Sequence, residues 1–443
     1  MNGIHGKPDV VGRVCRSAFV LLIGVSLTAC DLDEILSIDD PEFVTDESLE
    51  DPNALPLVVR GAIAEFIRGY SGDGLANLGF LTATGLLTDE LQSSDTFLGR
   101  NATDRRDLQA AADGNPSDLA YEGLQRARRA TKDAAVAVVA VNGLDDPDLA
   151  LMHALNGYSF VALAEGWCSA VPISNVVGGE FVYGDELTTE ELLDSALVRF
   201  EQSVAAEAND LAAVGMGRAL LDLGLYPEAA AAVSGVPDSY EYLLEHSENT
   251  FQNPVWNLNN DNIRFTILGN EGINGLDFRT AEDPRILVTR DGDRVGFDAS
   301  TPLWEQQVYP NRDSDVPLAS GIEARLIEAE AALGAGNPGA FIQQLNALRS
   351  TVSGLEPLED PGTEAERVTL LFRERAFWLF LTGHRLGDLR RLVSHYGRDI
   401  ESVYPIGTDT RRQPYGDDVV FSVPFEEEQN PLFDRSECVT TGI

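Results

Sequence analysis

Lysine is nearly missing from this chain of 443 residues, occurring only at Lys7 and Lys132. Lysine and arginine together number 32 against 72 aspartates and glutamates, a formal net charge of −40. Such a surface repels phosphate backbones, which argues against nucleic acid as a partner. The acidic excess itself reads as a solvated face. Histidine is scarce too: His5, His153, His246, His384 and His395 show no metal-ligand spacing, so no metal or other cofactor is expected. There is no Walker loop, no GxGxxG opening a helix after a strand, and no GxSxG. Carboxylate pairs are unavoidable at this composition, so their number does not argue for a glycosidase. No constellation of residues points to an enzyme.

Long apolar runs are also lacking, one N-terminal segment excepted. Lys7, Arg13 and Arg16 precede SAFVLLIGVSL, Ser17 to Leu27, which is too short to span a bilayer as a mature helix. This layout predicts a secretory signal peptide over residues 1–29. It ends in Leu27-Thr28-Ala29-Cys30, similar to the bacterial lipobox, so Cys30 is the expected lipidation site and lipid the membrane attachment. From Asp31 to Asp51 there are ten carboxylates and no Lys or Arg, which predicts an acidic tether over 30–52. Of the four cysteines, Cys15 leaves with the signal and Cys30 is taken by lipid. Cys168 and Cys438 remain, either bridged in an oxidising compartment or as two unrelated buried thiols.

Hydrophobic residues make up 44% and charged residues 23%, ordinary values for a globular chain with a substantial core. Helical patterning dominates. LPLVVRGAIAEFIRGYSG, YEGLQRARRATKDAAVAVVAV and LALMHALNGYSFVALAEGW repeat apolar or small residues at three- and four-residue spacing. TTEELLDSALVRFEQSVA offers Thr188 or Thr189 as an N-cap. In NDLAAVGMGRALLDLGLYPEAAAAVSGVP the placing of Gly217, Ala219, Gly224, Tyr226, Ala229 and Pro237 is similar to a tetratricopeptide repeat, with Tyr226 expected to fill the gap between the two helices. A second pair follows over Ala324 to Ser350, with Pro338 suited to the first turn of its second helix. Between them, about residues 250–315, an Asn- and Gly-rich texture predicts long loops and short strands inserted into the helical body.

One run breaks the acidic pattern: RERAFWLFLTGHRLGDLRR, Arg373 to Arg391. Phe372, Ala376, Leu379 and Phe380 share a helical face that Phe377, Trp378 and Leu381 broaden, so the helix is expected to be buried, with Gly383 as its stop. Five arginines here are either an anion site or internal ion pairs. Glu374, between Arg373 and Arg375, and Asp388, within a turn of Arg385 and Arg391, favour ion pairs, because an unpaired buried charge costs several kcal/mol.

This run resembles the C-terminal signature of RagB/SusD proteins. LLTDELQSSDTF, SFVALAEGWCSAVPIS, RTAEDPR, PLASGIEARLIEAEAALGAGN with LNALRS, and VPFEEEQNP agree in the same order, after the lipobox. The resemblance implies a mainly α, SusD-like fold of tetratricopeptide-type helix pairs with long loop and short-strand insertions, forming one domain over 53–443. It also implies an outer-membrane, cell-surface lipoprotein that binds a nutrient, a glycan or oligosaccharide above all, and delivers it to a TonB-dependent, SusC-like transporter barrel. The rival readings are a helical-repeat scaffold that binds envelope proteins and an anchored glycoside hydrolase. No Trp-Trp platform of the starch-binding type is apparent.

Sugar recognition combines an aromatic face with amide or charged groups on loops that a rigid frame positions. Two regions offer that mixture. SSDTFLGR carries Asp95, Phe97 and Arg100; NPVWNLNNDN carries Trp256, Asn259 and Asn260, with Trp304 and Tyr309 as further candidates.

Overall fold

Small residues decide how the first helices meet. In the computed structural model α1 (Leu55–Tyr70) crosses α4 (Pro116–Asn142) at Gly69 and Gly123, where a Cβ on Gly69 would lie 2.6 Å from the Gly123 carbonyl carbon. Between them in sequence come α2 (Phe80–Leu87) and α3 (Leu98–Asp104). The structure describes residues 52–74, 78–110, 115–178 and 180–443. The expected signal peptide, Cys30 and the tether up to Asp51 lie outside these residues. All described residues belong to one compact unit, Thr45–Ile443.

Neighbouring helices in sequence then pack as neighbours in space: α4 on α5 (Pro147–Gly166), α5 on α6 (Thr189–Ala206), α6 on α7 (Asp210–Asp222), and α7 on α8 (Tyr226–Val233). Thr188, not Thr189, caps α6: it accepts from the Glu191 amide while the Glu191 carboxylate accepts from the Thr188 amide. The second pair, α9 (Gly321–Gly334) and α10 (Pro338–Arg349), starts its second helix at Pro338 as expected. Tyr226 differs from expectation. Val233 fills the α7–α8 crossing, where a Cβ on Gly217 would meet it at 2.5 Å, and Tyr226 instead packs outward against Gly334 of the next pair.

α11 (Glu364–Trp378) and α12 (Arg385–Ser394) carry the arginine-rich run, and the ion-pair reading holds for four of its five arginines, mostly with different partners, while Arg390 donates to the Ala164, Glu165 and Trp167 carbonyls. Arg375 and Arg391 share Asp388; Arg391 also reaches Glu330 and Asp222; Arg385 pairs with Asp89 rather than Asp388. Glu374 binds Arg285 and Arg349 rather than its sequence neighbours. The helix also stops before Leu379, ahead of Gly383. Glu90 accepts the Leu381 amide at 2.8 Å, and the Tyr309 and Tyr70 hydroxyls donate to the Leu381 and Thr382 carbonyls. These partners hold Leu381 and Gly383 at φ of 57° and 81°, outside the helical region.

The strands are short antiparallel pairs: β1 (Gln92–Ser93) with β7 (Phe265–Thr266), β2 (Val171–Pro172) with β5 (Glu186–Leu187), β3 (Asn175–Val177) with β4 (Glu180–Val182), β6 (Glu241–Leu244) with β10 (Val316–Ser320), and β8 (Val288–Thr289) with β9 (Glu305–Gln306). Residues 251–315 form the loop-rich insertion, with a π-helical turn at Asn257–Asp261. Cys168 and Cys438 are disulfide-bonded, with Cα atoms 5.0 Å apart. The bridge ties the C-terminal tail to the turn after α5.

Candidate functional site

The segment directly after the second candidate region, residues 263–266, pairs with the first candidate region. β1 pairs with β7 in the register Gln92↔Thr266 and Ser93↔Phe265, and the Ser94 amide donates to the Arg264 carbonyl at 2.8 Å. A third segment closes on them: the Phe297 amide donates to the Ile263 carbonyl and the Asp298 amide to the Ser94 carbonyl, both at 2.9 Å. Only glycine fits at 296, where a Cβ would lie 2.2 Å from that of Ser94. Three loops are thus bonded backbone to backbone.

Asp95 is the electrostatic centre of this junction. It is buried and receives Arg264 at 2.6 Å on one oxygen and Arg100 at 2.7 Å on the other. Burial pushes its pKa up, but the hydrogen bonds from Arg264 and Arg100 outweigh that and hold it below the usual aspartate range. Above this anchored carboxylate two phenylalanines face solvent: Phe97 is 50% and Phe297 47% exposed. The Arg100 guanidinium lies 5.5 Å from the Phe97 ring centre, that of Arg264 3.3 Å from Phe297. The arrangement presents apolar ring surface on loops fixed by a buried ion-pair cluster, a feature of sites that bind polyhydroxylated ligands.

No protein-family model matches the sequence, and no curated protein matches it. Solved structures do. A SusD superfamily protein from Parabacteroides distasonis superposes with a TM-score of 0.65 at 12% identity, covering 86% of this chain and 98% of that one. The surface glycan-binding protein A from Bacteroides uniformis gives 0.63 at 12% identity, covering 86% and 99%. A SusD-like carbohydrate-binding protein from Bacteroides vulgatus gives 0.55 at 14%, covering 76% and 82%. The fold is SusD-like.

Within this SusD-like frame the remaining candidates sort by accessibility. Asn259 is wholly buried: its amide donates to the Phe265 and Trp304 carbonyls and accepts the Gln306 amide, so it braces β7 against β9 and is withdrawn as a ligand contact. Tyr309, 3% exposed with its hydroxyl on the Leu381 carbonyl, is likewise a framework residue. Asn260 spends its amide on Gln306. Trp256 and Trp304 are half-buried, and neither indole is bare: Arg312 lies 5.0 Å from the Trp256 ring, Arg279 and Arg290 lie 4.2 and 5.3 Å from that of Trp304.

Sequence reading missed Arg264, Phe297, Arg279, Arg290 and Arg312. An available signal was arginine itself, placed in an Asn-rich loop of a carboxylate-rich chain. Phe297 had none, since nothing in GFDAS announces that it docks on Ile263 and Ser94. Arg411, whose guanidinium donates to the Ser93 carbonyl at 2.7 Å, was equally invisible.

Proposed function

We propose that this protein is a cell-surface, outer-membrane lipoprotein that captures a glycan and passes it to a TonB-dependent, SusC-like transporter barrel. In this reading residues 1–29 direct export, Cys30 carries the lipid, 30–52 are the tether, and 53–443 form the binding domain. The observation that carries it is the exposed Phe97 and Phe297 surface, backed by Arg100, Arg264 and Asp95, on a SusD-like frame. Proteins of similar fold include a SusD-like carbohydrate-binding protein and a surface glycan-binding protein. A scaffold reading leaves the loop insertion and its exposed aromatics without a role.

Capture follows from rigidity. Backbone bonds among the three loops fix the rings before a ligand arrives, which lowers the ordering cost of binding. Isothermal titration of the purified domain against a panel of polysaccharides tests this reading, with product analysis of the same mixtures to detect cleavage. Retention without cleavage is the expected result; turnover would make the protein a hydrolase. Co-purification with a long β-barrel protein from native membranes tests the transporter partnership.

A further inference from the structure

Each accessible aromatic side chain of the candidate site has an arginine against its ring: Phe97 has Arg100, Phe297 has Arg264, Trp256 has Arg312, and Trp304 has both Arg279 and Arg290. This is unexpected in a chain with 72 carboxylates and 32 basic residues. Three of the six arginines of the insertion are paired with carboxylates. Arg264 is neutralised by Asp95, Arg285 by Asp283 and Glu374, and Arg294 by Glu305. Among the described residues no carboxylate lies within ion-pair distance of Arg279, Arg290 or Arg312.

Arg279 is the most exacting case. Its Nε is buried and has no hydrogen-bond partner. Burial and then the nearby Arg290 charge both lower its pKa. Two like charges converge on the Trp304 indole, and one leaves a donor unsatisfied, each at a free-energy cost. A single cation would pin the tryptophan equally well. A pair without counter-charge lacks what an external anion would supply.

We infer that the bound glycan is acidic, a uronate carboxylate or a sulfate ester completing the charge pairing at Arg279 and Arg290 beside Trp304, with Arg312 beside Trp256 as a further anion contact. This rests on the glycan-binding reading above. The planar guanidinium donates two parallel hydrogen bonds to such groups, which hydroxyls do not match in strength. The net charge of −40 opposes polyanions in general. Salt confines that opposition to within about 8 Å at physiological ionic strength. Inside that range Glu305, next to Trp304, is already held by Arg294 at 2.6 Å.

The test is isothermal titration of the folded domain at physiological ionic strength with two matched pairs. Oligogalacturonate and its carboxyl-reduced form probe the carboxylate; sulfated and unsulfated dextran oligosaccharides probe the sulfate. Tighter binding of one acidic member than its neutral counterpart, by about tenfold or more from a charge-assisted bond, is expected. The double variant Arg279→Gln, Arg290→Gln should erase most of that preference while its melting temperature stays near wild type. If that variant does not fold, Arg279→Lys, Arg290→Lys keeps the charge and should weaken the preference without abolishing it. Equal or tighter binding of the neutral members, or an acid preference unchanged in the variants, overturns the inference and leaves glycan binding intact. Binding of no member of these pairs, nor of any polysaccharide in the wider panel, overturns both.

Discussion

Arg375 grips Asp388 with Nε and Nη2 at 2.8–3.0 Å, and Asp388 turns the same Oδ1 to Arg391 at 2.7 Å. All three side chains are buried. Burial alone would raise the Asp388 pKa; the two guanidiniums overcome it and bring the value down to about 2. A carboxyl whose folded pKa is depressed stabilises the fold above its unfolded value, and that contribution is lost as pH falls toward the folded value. Asp388→Asn should therefore cost about 3–5 kcal/mol at neutral pH, as for other broken buried pairs. Urea melts at neutral pH should show this, and the gap to wild type should narrow steadily below about pH 4.

Glu90 has the opposite sign. It is buried with the Leu381 amide as a hydrogen-bond donor, and desolvation pushes its pKa up to about 8 from 4.5. The native state then holds a proton that the unfolded chain releases, so this contribution is complete below the unfolded pKa and is lost as pH rises to about 8. Glu90→Gln keeps an acceptor for Leu381 without the titration. It should flatten the stability–pH slope between these limits by about 1.4 kcal/mol per unit. Denaturant melts at about pH 4 and about pH 8 check this: the variant should match wild type at the first and exceed it at the second.

The Cys168–Cys438 bridge closes a loop of 270 residues in sequence separation. Constraint of the unfolded chain by so long a loop is worth about 5 kcal/mol in the chain-entropy account, and removal of native disulfides costs about 2–5. Cys438→Ser, measured by thermal melting under oxidising conditions, should show a loss in this range. A far smaller loss would mean that the tail is held by its other contacts, such as the Val419 amide on the Thr440 carbonyl.

Local signals were the ones legible in the sequence. Pro338, a threonine cap at 188 or 189 and the glycine-rich helix pairs depend on a few neighbouring residues, and the structure has each of them, with Thr188 as the cap. That Arg373–Arg391 would be buried and paired was also legible, because an unpaired interior charge is too costly. The identity of the partners was not: Arg385 finds Asp89 across 296 positions, and no spacing rule reaches that far. The site divided the same way. Both loop regions were chosen for their composition, but Asn259 and Tyr309 look like binding residues for the same reason that they brace loops, an amide or hydroxyl free to bond backbone. Which use prevails is set by packing against residues 265, 304–306 and 381.

Cys30 precedes the described residues, and its modification is testable directly. Acyl burial contributes about 0.8 kcal/mol per CH₂, so two or more chains anchor a protein stably. Cys30→Ser should release the protein from membranes or leave it as unprocessed precursor. Processing and membrane fractionation identical to wild type would exclude lipid as the anchor.

Phe297 and Trp256 separate the two halves of the candidate site. Phe297 is 47% exposed and holds its place through its backbone, with its amide on the Ile263 carbonyl. Loss of its ring should leave the loop nearly unchanged. Phe297→Ala is therefore expected to weaken glycan binding by about 1–3 kcal/mol, the range for a stacked ring, with a melting temperature close to wild type. Trp256 is half-buried and caught between packing and binding: Asn253 caps its turn, and Arg312 lies against its ring. If its indole stacks on ligand, Trp256→Ala should show the same pattern as Phe297→Ala. If it pins the insertion, the melting temperature should fall while affinity per folded molecule is unchanged. Titration calorimetry and thermal melting on the two variants together decide whether the site spans both loops or only the face over Asp95.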